Sequence, residues 1–238
     1  MPTALEIDQV SKRFGLVAAV NEVSCSIAAG EAVLLLGANG AGKTTLLRLC
    51  ATLLRPTRGH IRIAGLDAAA HGAAARRKLA VLGHESFLYP DLSAAENLSF
   101  YARLYGVSEP HARAAALIEQ LGLRGWAHRA VRTFSRGMVQ RCALARVLLH
   151  EPEILLLDEP FTGLDVEARE LSCGALRDAH GRGAALLMST HDLQLGLSLC
   201  ARAIILARGR IAWQGPVTAD DAPALERRLR ELAFREPA

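Results

Sequence analysis

Residues 37–44 read GANGAGKT, a match to G-x-x-x-x-G-K-[ST] set between an apolar run and a helical one, and that spacing has a mechanical meaning. Gly37, Gly40 and Gly42 let the backbone wrap tightly, so that N–H groups along Ala38, Asn39, Ala41 and on to Thr45 point inward at phosphate oxygens. The start of the following helix adds its dipole to the same cradle. Lys43 is placed to bridge β- and γ-phosphates, and the Thr44 hydroxyl to ligate Mg2+. The chemistry implied is the grip of a nucleoside triphosphate. No N-K-x-D segment is present to read guanine. Phe14, in the stretch KRFG, could stack on an adenine ring or simply join the core, and ATP is the expected nucleotide.

A second constellation lies at 154–159, ILLLDE, where four apolar residues end in adjacent carboxylates. A buried parallel strand would carry Asp158 and Glu159 to its C-terminal edge, where ligands gather in open α/β sheets. Asp158 suits an outer ligand of Mg2+ through water. Glu159, one residue further along, suits a general base that orients an attacking water. PFTGLD follows at once, and STHD closes the next apolar run with His191. A histidine there could hydrogen-bond the γ-phosphate and help position the water.

These groups need a scaffold. LEIDQV, VAAVNEVSCSI, EAVLLL and HIRIA read as strands, and LAVLG (79–83) as one more. TTLLRLCATLL reads as the helix behind the phosphate loop, ended by Arg55-Pro56. From Ser93 to about His150 the pattern turns helical, beginning with a capping-box spacing from Ser93 to Glu96. EILLLD, GAALLMST, AIILARG and RIAWQG then alternate with helical runs, which predicts a parallel sheet with covering helices. The segment 68–75 reads as an alanine-rich turn. The tail over 219–238 reads as a basic amphipathic helix packed on the core.

Composition sets the outer bounds. The 238 residues are 51% hydrophobic and 22% charged with a net charge of +4, enough apolar material for a substantial core. Lysine stands only at 12, 43 and 78, no block of like charge forms a nucleic-acid stripe, and aromatics are 5%, so no nucleic-acid partner is expected. The five cysteines are scattered without a CxxC pair, which reads as buried thiols in a reducing compartment. MPTALEIDQVSKRF carries no apolar h-region behind a basic start. The longest apolar runs fall short of the roughly 18–20 residues a membrane helix needs. The chain is expected in the cytoplasm, with any membrane role requiring a partner.

The stretch RTFSRGMVQRCALARVLLHEPEILLLDEP brings the motifs into one frame. Phosphate loop, signature helix, aspartate-glutamate strand and switch histidine follow in the order of the ATP-binding subunits of ATP-binding-cassette (ABC) transporters, which the sequence resembles over nearly its whole length. The family signature usually reads L-S-G-G-Q, and this chain has Phe134-Ser135-Arg136-Gly137-Met138, keeping Ser135 and Gly137. The resemblance implies an α/β P-loop NTPase cassette with a mostly parallel core sheet, an N-terminal antiparallel β subdomain and a helical signature subdomain at about 93–150. It implies one ATP-binding domain over 1–238, with ATP and Mg2+ as cofactors. It also implies a head-to-tail homodimer, or a pair with another ATP-binding subunit, in which Ser135 and Gly137 of one protomer meet the γ-phosphate held by the other. Asp165 falls at that seam. The remaining partner is an integral membrane subunit, which would hold this chain on the cytoplasmic face of the membrane.

One departure stands out. The family places a glutamine, a contact for Mg2+ and water, after the strand corresponding to LAVLG. By spacing to Leu92-Ser93 that place belongs here to His84, with Glu85 beside it. An imidazole is a poor Mg2+ ligand compared with an oxygen donor, so Glu85 joins Thr44 and Asp158 as a candidate metal ligand. Gly83-His84 and PDLSAAENLSFYARLYGV resemble the haem-exporter subunit of cytochrome c maturation, against a drug, lipid or polysaccharide exporter as the alternative. A soluble ABC ATPase acting on nucleic acid is a further reading, as is a module that binds ATP without turning it over.

Overall fold

The computed structural model describes residues 2–234. β1 (Thr3–Phe14) and β2 (Val17–Ala28) form an antiparallel hairpin, and β3 (Ala32–Leu36) leaves it for a second sheet. β4 (Arg58–Ile63) and β5 (Leu66–Asp67) return to the hairpin and complete a four-stranded antiparallel sheet ordered β2-β1-β4-β5. The second sheet adds β6 (Leu79–Leu82), β7 (Ile154–Asp158), β8 (Ala185–Ser189), β9 (Arg202–Ala207) and β10 (Arg210–Pro216). Its order is β10-β9-β3-β8-β7-β6, parallel throughout except where β10 runs against β9 at the edge.

Three strands of five residues, AVLLL, ILLLD and ALLMS, are buried at every position. Unbroken apolar runs of this length suit central parallel strands, which are covered on both faces. The strand period of two then sorts their side chains. Leu34, Leu36, Leu155, Leu157, Leu186 and Met188 join one core with α3 (Ala94–Leu104), α4 (Pro110–Gln120), α5 (Arg136–Leu148) and α6 (Val166–Gly181). Val33, Leu35, Ile154, Leu156 and Leu187 face the other way, onto α1 (Lys43–Cys50) and the antiparallel sheet.

The helical stretch begins where the capping box predicts. Ser93 Oγ accepts from Glu96 N at 3.2 Å, while Glu96 Oε2 accepts from Ser93 N at 2.7 Å. The alanine-rich segment is a turn only at its start, because Gly72–Arg77 close into the short helix α2. Alanine's high helix propensity overrides the lack of a side-chain cap at His71. After the short α7 (Leu193–Leu197) and β10, α8 (Ala222–Phe234) lays Leu225, Leu229 and Leu232 on the core, and Arg228 sits over the Trp213 ring at 4.6 Å. The part of the tail at 235–238 lies outside the described residues.

The loop from 83 to 93 joins β6 to α3 and is pinned from below. Arg146, only 6% exposed, donates to Val81 O at 2.8 Å and to Ser86 O at 3.1 Å. Burial lowers its pKa against the partial opposition of Tyr101 and Tyr105. A guanidinium this deep is tolerated because fixed carbonyls and the Phe87 and Tyr101 rings receive it. Asn97, fully buried, accepts from Tyr89 N at 2.8 Å and donates to Tyr89 O and Ser93 O, both at 3.0 Å. Asn97→Ala strands those backbone groups, and a loss of about 2–4 kcal/mol is expected in urea unfolding.

His150 gives a pH signature. Its ring stacks on Tyr105 at 3.8 Å, Nε2 lies 3.3 Å from Leu79 O, and the buried Nδ1 has no partner. Burial pushes its pKa down more strongly than the bond to Leu79 O raises it. The folded state therefore prefers the neutral ring, while the unfolded chain takes the proton near pH 6.5. This contribution to stability is complete above that pH and is lost as the pH falls below it. His150→Phe keeps the stacking and should flatten the fall in stability between pH 8 and 5.5; an unchanged slope would sink the assignment.

Candidate functional site

The C-terminal ends of β3, β7 and β8 open onto a cleft of about 360 Å³ lined by the 39–45 stretch, Asp158, Glu159, His191, His84 and Ala19. The loop that starts it requires glycine at two positions. Gly42 has φ 103°, and a Cβ there would stand 2.3 Å from Ala19 O in the hairpin; Gly37 would meet Leu206 O at 2.4 Å. Lys43 folds back over this loop, donating from Nζ to Gly37 O at 2.7 Å and Ala38 O at 3.2 Å. Burial lowers its pKa, and the carboxylates of Glu159 and Asp158 work against that. The loop thus holds a cation on its own carbonyls, and an anion entering the cleft could draw it away.

The carboxylates are positioned by strand register. Asp158 pairs with Ser189 across β7 and β8, and Ser189 Oγ donates to Asp158 Oδ1 at 2.6 Å. Both residues are buried. Glu159 turns at once into the left-handed region, φ 55°, held by Glu159 N donating to Ser189 O at 3.0 Å. A glutamate rarely adopts that conformation, and strain of this kind is of order 1–3 kcal/mol. The turn leaves its carboxylate at the cleft wall. Oε2 accepts from His191 N at 3.2 Å, while Oε1 is buried, 3.3 Å from His191 Nε2 but without hydrogen-bond alignment to it. A buried carboxylate oxygen with no donor is poised to accept from a water or a ligand hydroxyl.

Other expected residues lie elsewhere. Ser135 is exposed and caps α5, accepting from Met138 N at 3.2 Å, with Gly137 beside it against Gly163. Asp165 is exposed and caps α6, accepting from Ala168 N at 2.8 Å. None of the three lines the cleft. Phe14, 51% exposed with Lys12 Nζ over its ring at 5.3 Å, stands at the end of the hairpin rather than in the core. Glu85 does not line the cleft. The chain bends at 83–85 after β6, and His84 lines both the cleft and a neighbouring groove with Leu53, Leu54, Phe87 and Asp158, whereas Glu85 lines that groove alone. Of the three candidate ligands, Thr44 and Asp158 line the cleft itself and Glu85 the groove that shares Asp158 with it.

Two supporting residues escape a reading of motifs. Ser189 was visible inside STHD, but its bond to Asp158 depends on pairing register. Arg146 stood out only as a charge within the apolar run CALARVLL, and its role emerges from the loop above it. With Thr44 and Asp158 as oxygen donors, the cleft has the chemistry that suits a hard divalent cation. Among the described residues no group of three or more His, Cys, Asp or Glu could hold a metal unaided.

Residues 20–162 match the family model described as ABC transporter. The ABC transporter ATP-binding protein NatA of Bacillus subtilis (strain 168) is 38% identical over 218 residues, covering 89% of each chain. Daunorubicin resistance ATP-binding protein DrrA3 of Streptomyces coeruleorubidus is 37% identical, over 93% of this chain and 70% of its own. Nod factor export ATP-binding protein I of Paraburkholderia xenovorans (strain LB400) is 37% identical, over 91% and 72%. A solved ATP binding subunit of an ABC transporter superposes with a TM-score of 0.86 at 31% identity, covering 97% of this chain and 98% of its own. A dimeric ATP-binding cassette in a post-hydrolysis state, bound to ADP and Pi, gives 0.82 at 26%, covering 89% and 98%.

Two glycines separate conformational cost from collision. Gly15 has φ 58° and open space around it, whereas Gly42 combines φ 103° with the Ala19 carbonyl. Gly15→Ala should cost only the left-handed penalty, about 1–2 kcal/mol. Gly42→Ala should cost more in urea unfolding and also abolish binding of a fluorescent ATP analogue. Equal losses in the two variants would show that the hairpin does not press on the loop.

Proposed function

The chain belongs to the ABC transporter family, and on that premise we propose that it binds and hydrolyses ATP as half of a head-to-tail dimer powering a separate membrane exporter subunit. The observation that carries this is the division of the motifs. The phosphate loop, Asp158, Glu159 and His191 meet in one cleft, while Ser135 and Gly137 of the same chain lie outside its lining. A triphosphate in the cleft is therefore gripped on one side, and a second protomer's Ser135–Gly137 turn supplies the other. Exposed Asp165 and the 72% exposed Val166 beside it suit the seam.

Within the cleft, Lys43 exchanges the Gly37 and Ala38 carbonyls for the β- and γ-phosphates, and the loop amides hold the phosphate oxygens. Thr44 and Asp158 would hold Mg2+, which when bound draws charge from the phosphates. Glu159 accepts from the attacking water through Oε1 and orients it at the γ-phosphate. His191 steadies that carboxylate with its backbone N–H on Oε2, and its ring stands 3.3 Å from Oε1, at the same cleft. Phe14, from the hairpin, offers its ring to the adenine.

No helix among the described residues is long and apolar enough to cross a membrane, so transport needs a membrane partner. The groove with Leu53, Leu54, Phe87 and Glu85 suits a short amphipathic segment of such a partner. Export is favoured by relatives whose names refer to daunorubicin resistance and Nod factor export. These favour the drug, lipid or polysaccharide class. The haem reading carried by Gly83-His84 gains no support from them.

Glu159→Gln should keep ATP binding, lower steady-state turnover at least about 100-fold, and run as a dimer in light scattering under saturating MgATP. A monomer under those conditions would overturn the shared-site reading. Equal, near-zero turnover in wild type and variant would favour a module that binds without hydrolysis. Lys43→Ala should weaken ATP binding itself, measured by titration calorimetry.

A further inference from the structure

His84 is the residue in the cleft whose chemistry does not match its neighbours. Thr44 brings a hydroxyl and Asp158 a carboxylate, hard oxygen donors that suit Mg2+. His84 brings an aromatic nitrogen to the same cleft wall. Its loop is not free to swing it away. Leu82 pairs with Leu157 in the sheet, and Arg146 ties Val81 O before the residue and Ser86 O after it. The imidazole is thus presented from a fixed segment beside Asp158, with its ring exposed to whatever enters. The second cleft histidine, His191, has its ring Nε2 3.3 Å from Glu159 Oε1 and its backbone N–H on Oε2, which places it at that carboxylate.

We propose that His84 is a nitrogen ligand to the divalent cation carried by the bound nucleotide, and that it shifts the metal preference of this site from Mg2+ toward Mn2+ and its heavier neighbours. The proposal rests on the reading that the cleft binds a metal–ATP complex. Its ground is ligand chemistry. Mg2+ strongly prefers oxygen and sheds water reluctantly, whereas imidazole suits first-row transition ions, whose affinity for such donors rises from Mn2+ through Co2+. Phosphate oxygens must complete the coordination, because the described side chains form no closed metal site. A resident imidazole then adds little to a Mg2+ complex and a true bond to a Mn2+ one.

The test uses the full chain carrying Glu159→Gln, loaded with Mn2+ and ATP, and pulsed electron paramagnetic resonance. A coupling from a directly bound histidine nitrogen is expected, changing on 15N-histidine labelling. It should vanish when His84→Gln is added and persist when His191→Ala is added instead. Competition titrations should show the Mn2+-over-Mg2+ preference of the ATP complex falling at least about tenfold in the His84→Gln background. His84 is exposed, so the substitution leaves the fold intact, which circular dichroism checks. Bound ATP and Mn2+ without nitrogen coupling would overturn the proposal and leave the nucleotide site standing. Coupling that survives His84→Gln and disappears with His191→Ala would overturn it equally. Failure to bind ATP with either metal would bring down the reading of the cleft itself, and the proposal with it.

Discussion

The hydrogen bond from Ser189 to Asp158, 2.6 Å long and buried between the last residues of two parallel strands, is the contact on which the site's layout depends. Parallel pairing places β7 and β8 in step, Leu157 beside Met188 and Asp158 beside Ser189. A slip of one residue would send every side chain to the opposite face. The core then enforces the register, because Leu155 and Leu157 belong to one apolar cluster and Leu156 to the other. Asp158 can be buried as a carboxylate only because that register supplies a donor. Glu159 and His191 are simply the next steps beyond the same edge. The layout of the cleft and the packing of the core therefore share one constraint.

Around that edge the structure spends stability on placement. Glu159 sits in a left-handed conformation that no glycine relieves, and Lys43 is buried enough for its charge to be disfavoured. Arg146 is interred beneath the 83–93 loop. Each is tolerated because fixed carbonyls or backbone bonds receive it, and each holds a group where chemistry is proposed. The cost of the strained turn, of order 1–3 kcal/mol, is small against an apolar sheet buried on both faces. It would be large for an isolated loop.

Much of this was legible from residue types, and the limits were physical. GANGAGKT and ILLLDE placed the phosphate loop and the carboxylates because strand–loop–helix geometry is local, and the capping box at Ser93 was read for the same reason. The helical stretch to His150 and the alternation after it were visible as periodicity. What depended on pairing across sequence was not. Ser189 as the partner of Asp158 requires register, and Arg146 as the anchor of a distant loop requires tertiary contact. That His84 reaches the cleft while Glu85 lines only the neighbouring groove depends on the bend at 83–85, which residue types alone do not announce. The segment 68–75 read as a turn because no capping residue announced the short helix that Gly72–Arg77 form.

The altered signature shows how a departure in sequence can leave the proposed chemistry intact. Ser135 already accepts a hydrogen bond as the cap of α5, yet a hydroxyl also donates. Holding Met138 N is compatible with giving its proton to a phosphate across a dimer seam. The residue after it, Arg136, lies exposed with its side chain against Gly163, where an added Cβ would come within 3.3 Å of it. Gly137 in turn approaches the Gly163 carbonyl, 3.0 Å from where its own Cβ would stand. The bulk of Arg136 thus packs against a glycine in the loop leading to Asp165. Gln140 adds a tie from the same helix to Pro160 O at 3.1 Å, next to Glu159. The surface proposed to meet a neighbour's phosphate is therefore tied by one hydrogen bond to the residue that follows this chain's own Glu159.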